Sequence, residues 1–110
     1  MNKEFFVHLF HILIVGGLFL YIGINREKIG VTLFNAIFYL GFIIVLYHLY
    51  KVYQYIKQGR GYWVNLIHIF IVGPLLIYIG YNGEKTTRKF FELLLMLGFA
   101  SIGYHLYYLL

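Results

Sequence analysis

The sequence predicts an all-α fold: an integral membrane four-helix bundle built from two parallel helical-hairpin repeats. Three observations predict it. Of the 110 residues, 62% are hydrophobic and only 12% charged, with a mean hydropathy of +0.78. Nine Lys/Arg and four Glu cannot supply the polar surface that a soluble domain of this size needs. The second observation is the placing of those charges, which leaves four windows without any: 5–24, 29–50, 61–83 and 93–110. Each approaches the ~20 apolar residues that cross a bilayer core of ~30 Å. The third is internal repetition. Shifted by 57 residues, "HILIVGGLFLYIGINREK" (11–28) lies over "HIFIVGPLLIYIGYNGEK" (68–85), and "LGFIIVLYHLY" (40–50) over "LGFASIGYHLY" (97–107), without a gap.

The first window follows Lys3 but has neither the short apolar core nor the small-residue cleavage site of a signal peptide. It is therefore expected to be helix 1, with its twin in the third window. The repeats are 1–56 and 57–110, each one transmembrane hairpin of a single compact membrane domain. Two spans per repeat give both copies the same orientation, related by an axis along the membrane normal. Both termini and the linker "KVYQYIKQGR" (51–60) then share one side, called A, and the loops "NREK" and "NGEKTTRK" share the other, called B.

Between the first and second windows, and between the third and fourth, the turn chemistry is repeated. Gly23 and Gly80 suit helix C′ positions, and Asn25 and Asn82 suit the turn or the next cap. Glu27 and Glu84 suit a helix N-terminus through the macrodipole. Gly16 and Gly23, like Gly73 and Gly80, stand seven residues apart on one helix face and mark close helix contacts. Pro74 replaces Gly17 in the second copy and is expected to kink helix 3, freeing the carbonyl of Phe70. Tyrosines crowd side A with Trp63, as an aromatic belt does. Side A carries Lys3, Lys51, Lys57 and Arg60, and side B carries Arg26, Lys28, Lys85, Arg88 and Lys89. That balance leaves orientation undecided.

Several chemistries are excluded or disfavoured. The chain has no cysteine, so disulfides and thiolate sites are impossible. All four acidic residues are Glu, which rules out a Ser-His-Asp triad, and no phosphate loop or H-E-x-x-H sequence occurs. The reading leans away from an enzyme. The net charge of +5 sits in juxtamembrane loops and points to anionic headgroups, not nucleic acid.

Histidine is the interior polar residue that recurs in every window: His11, His48, His68 and His105. His8 lies outside the pattern because its twin is Asn65. By the helical rise, His11 and His48 stand about 20 Å above side B, and their twins follow. Gly41 and Gly98 lie two turns below His48 and His105 on the same stripe. With the helices in order round a square, His48 and His105 face each other across one diagonal, and His11 and His68 across the other. Bis-histidine ligation of haem b by His48 and His105 is then geometrically natural, with Gly41 and Gly98 opening a slot for the ring. His11 and His68 are the next candidates or supporting partners. The expected role is electron transfer. The alternatives are a non-catalytic membrane interaction or assembly subunit, in a homo-oligomer or larger complex, and a proton or metal-ion pathway through the histidines. In the blandest alternative the histidines are interfacial packing residues, and no cofactor binds.

Overall fold

The structure is a computed structural model that describes residues 3–110. Among the described residues, four helices are long and apolar enough to cross a membrane: α1 (Lys3–Ile29), α2 (Val31–Gln58), α3 (Trp63–Lys85) and α4 (Arg88–Leu109). No strand occurs among them. The helices pack as two compact units. One contains α1 up to Lys28 together with α4, and the other runs from Ile29 to Thr86 and so contains α2 and α3. The packing units therefore cut across the sequence repeats, because each pair takes one helix from each copy.

In the α1/α4 pair the helices run antiparallel. A methyl group on Gly16 would collide with the side chain of Ile102, and one on Gly23 would lie 2.7 Å from Leu95 Cβ and 3.0 Å from its Cα. Gly98 meets Phe19 and Leu20 in the same way. Missing side chains thus let the two backbones approach, which is how helices associate where the surrounding solvent is as apolar as the contact. Phe19, Ile22, Phe91 and Leu94 are buried between them.

The α2/α3 pair repeats this contact residue for residue at the 57-residue offset. Gly73 meets Val45, Gly80 meets the backbone of Phe38, and Gly41 meets Ile77. Leu76, Ile79, Phe34 and Ile37 hold the buried positions that Phe19, Ile22, Phe91 and Leu94 hold in the other pair. Ile69, Val72 and Leu75 are buried in addition.

Two expectations about the turns are corrected. Gly23 and Gly80 do not end their helices; both are buried inside them, spent on helix contact. The positive φ that breaks each helix falls three residues later, on Arg26 (φ 53°) and its twin Gly83 (φ 58°). Asn25 and Asn82 do not cap the next helix either. Each side-chain amide donates back to its own helix, to Tyr21 O and Tyr78 O, both at 2.8 Å. Glu27 and Glu84 lie in the short 3₁₀ turns that follow, ahead of α2 and α4.

Pro74 is also not the cause of the local irregularity in α3. A wide π turn occupies His68–Val72, and the same turn occupies His11–Val15 in α1, where Gly17 stands in place of the proline. Each closes with a glycine N–H reaching back five residues, Gly16 to His11 O and Gly73 to His68 O. Pro74 sits just past that register shift, near the first turn of the resumed α-helix, where a missing N–H is best tolerated.

Candidate functional site

Each π turn begins at a histidine, and the histidine ring is anchored to its own helix. His11 Nδ1 donates to Val7 O at 2.7 Å, and His68 Nδ1 donates to Val64 O at 2.8 Å. A carbonyl only accepts, so Nδ1 carries the proton, and a neutral ring then holds its lone pair at Nε2.

The facing helix brings a second imidazole onto the first. His105 stacks on His11 with ring centroids 4.3 Å apart and planes 24° apart. His48 stacks on His68 at 4.0 Å and 16°. Each stacked ring meets a tyrosine edge from its own helix, Tyr104 for His105 and Tyr47 for His48. The predicted candidates are thus brought together as His11 with His105 and as His48 with His68. His48 and His105 belong to different pairs.

Two further residues complete the clusters, and the sequence reading left both out. His8 Nδ1 lies 2.8 Å from His105 Nδ1, so one ring donates and the other accepts. In the other pair Asn65 stands at the same place. Its Oδ1 accepts from His48 Nδ1 at 2.7 Å. The signal was present as two polar residues at matching positions, each three residues before a recurring histidine. Requiring identical residues hid it, because the site needs a hydrogen-bonding partner and both His and Asn provide one. Asn65 and His105 are buried.

The chain matches no family model, no curated protein and no solved structure. Its chemistry must be read from these clusters.

A flat ring cannot be ligated from both faces by two imidazoles that lie face to face about 4 Å apart. Their lone pairs lie in their own parallel planes, whereas axial ligands must point at the metal from opposite sides. Gly41 and Gly98 do not leave a slot within their pairs. A Cβ on Gly41 would be 2.6 Å from Ile77 Cγ1 and 2.8 Å from Gly73 O, and one on Gly98 would be 3.1 Å from Phe19 Cβ. Among the described residues no group of three or more His or Glu side chains is arranged to hold a metal ion. What the clusters do accomplish is a polar link between helices. Each joins two helices through a hydrogen bond between side chains and through stacked rings.

Proposed function

We propose that the chain is an integral, multi-pass membrane protein made of two parallel hairpin repeats, and that it acts as a non-catalytic interaction or assembly subunit. The observation that carries this reading is the use of the polar groups inside each pair. His105 bonds to His8 and stacks on His11, and His48 bonds to Asn65 and stacks on His68. In lipid such bonds hold helices together, each contributing about 0.6–2 kcal/mol. The outward faces are apolar and large, with Phe10, Leu13 and Ile14 exposed on α1 and Tyr39, Ile43 and Leu46 on α2. Those faces suit lipid tails and neighbouring helices.

A second reading, haem b or transition-metal binding for electron transfer, is supported by one observation. The Nδ1–H bonds of His11, His48 and His68 set the tautomer in which Nε2 carries the lone pair, as a metal-ligating imidazole requires. An absorption spectrum separates the two. Protein expressed with ample haem and purified in mild detergent should be colourless and metal-free under the first reading. A Soret band with sharp reduced α and β bands, lost in His48→Ala or His105→Ala, would establish the second. Reporter fusions at both ends test the membrane topology, and termini on opposite sides would overturn the hairpin repeats.

A further inference from the structure

Helix α2 has 28 residues and its twin α4 has 22. At ~1.5 Å per residue α2 spans ~42 Å, which exceeds a ~30 Å hydrocarbon core by about two turns. The excess is the tract "KVYQYIKQ", which Gly59 and Arg60 follow. Here cations and aromatic rings alternate along the helix. Lys51 Nζ lies 5.8 Å from the Tyr47 ring and 5.9 Å from the Tyr55 ring, one turn to either side. Lys57 Nζ lies 4.6 Å from the Tyr53 ring.

The end of the helix adds a third cation by backbone geometry. Gly59 takes φ 67°, its N–H bonds to Ile56 O, and the next N–H, of Arg60, bonds to Tyr55 O at 2.9 Å. That paired closure turns the chain back on itself. It folds the Arg60 guanidinium to 4.4 Å from the Tyr55 ring, on which Lys51 also lies. No Asp or Glu occurs between Glu27 and Glu84, so the tract has three cations and no acidic side chain of its own. In the second copy Tyr108 stands at the place of Lys51, with its ring against Tyr104 and His8.

We propose that Lys51, Lys57 and Arg60, held on the rings of Tyr47, Tyr53 and Tyr55, form a docking site for anionic lipid headgroups. The site rests on the membrane reading above. Stacking on tyrosine holds the long side chains along the helix at the depth where rings and headgroups meet, so less side-chain freedom is lost when a phosphate binds. The guanidinium lays its face on the ring and donates from Nη1 to Gln58 Oε1 at 3.4 Å, and its remaining N–H groups are those that would meet phosphate oxygens.

Trp63, the single tryptophan, stands three residues beyond Arg60 and is exposed, so it reports the local lipid. The full-length protein would be reconstituted in phosphatidylcholine vesicles containing a minor fraction of acyl-brominated phosphatidylglycerol or, in parallel, of acyl-brominated phosphatidylcholine. A cation held near an anionic surface gains roughly a fivefold preference for it. Phosphatidylglycerol should therefore quench Trp63 several-fold more effectively than its zwitterionic counterpart. The excess should vanish in the triple variant Lys51→Gln, Lys57→Gln, Arg60→Gln. It should also shrink at 1 M salt, where screening acts within about 3 Å. The charge-keeping variant Lys51→Arg, Lys57→Arg, Arg60→Lys should retain most of it. Unchanged quenching by phosphatidylcholine certifies that the triple variant is folded and inserted. Equal quenching by both lipids in the wild type, or a preference that survives the triple Gln variant, would overturn the proposal. Absence of quenching by either lipid would instead overturn the membrane reading.

Discussion

The α1/α4 and α2/α3 pairs solve one packing problem with two polar chemistries. Their glycines, buried aliphatics, π turns and stacked histidines coincide at the 57-residue offset. In polar chemistry they part at one position, where the α1/α4 pair has a half-buried His8 against His105 and the α2/α3 pair has a buried Asn65 against His48. The difference teaches that the contact specifies a hydrogen-bond partner of about the right reach and leaves its identity open. Close backbone approach, by contrast, is specified strictly, because both copies keep glycine at all three contact positions.

The largest effect should come from breaking what the two pairs share. In Gly80→Ala the new methyl would sit 2.6 Å from the backbone N and Cα of Phe38, which cannot rotate away. Gly23→Ala presses on the Leu95 backbone in the twin contact. Each should cost about 2–3 kcal/mol, read from unfolding in mixed micelles, while Gly17→Ala and Gly103→Ala, with open space around them, should be neutral or slightly stabilising. Equal tolerance at all four positions would refute the close-contact account.

Next in size is the loss of a stacked imidazole. His105→Ala removes a buried ring together with its bond to His8 and its stack on His11, and about 2 kcal/mol should be lost. His48 is less buried, so His48→Ala should cost less, and the same micelle titration ranks the two. The reverse order would mean that the clusters are not held by burial.

Arg26→Gly should go the other way. Its φ of 53° is strained for a side-chain-bearing residue, and Gly83 already occupies the twin position. A gain of about 1 kcal/mol is expected. Thermal unfolding of this variant beside Gly83→Ala, which should lose stability, checks both signs.

The smallest effect sharpens the comparison itself. His8→Asn and Asn65→His exchange the two solutions, and each should change stability by under about 1 kcal/mol. His8→Ala should cost more, because His105 loses a partner in a buried site. A large penalty for either exchange would show that the two sites are not interchangeable.

Much of the fold was legible because its causes are compositional. Charge-free windows mark the four long apolar helices, and the offset placed Gly16, Gly23, Gly73 and Gly80 at close contacts. The pairing of helices was not legible, for a physical reason. Helices α2 and α4 carry the same residue pattern and present the same face, so the sequence gives α1 no ground for choosing between them. The π turns were hidden as well, since "HILIV" and "HIFIV" contain nothing that disfavours an ordinary α-helix. Their histidines anchor to Val7 O and Val64 O, a backbone detail that side-chain pattern does not encode.

The short contact between His8 and His105 joins two identical bases through one proton. Either ring can be the donor across the 2.8 Å gap. Exchanging donor with acceptor requires both rings to change tautomer, one gaining a proton at Nε2 as the other loses its own. Shifting the shared proton alone would leave an imidazolate beside an imidazolium. Asn65 Oδ1 has no proton to return, so the dipole of its bond to His48 points one way only. The two pairs therefore carry electrically unlike links, one between two like rings and one between a ring and an amide. Ring-nitrogen resonances record the distinction directly: tautomer-averaged Nδ1 and Nε2 shifts at His8 and His105, and a protonated Nδ1 at His48.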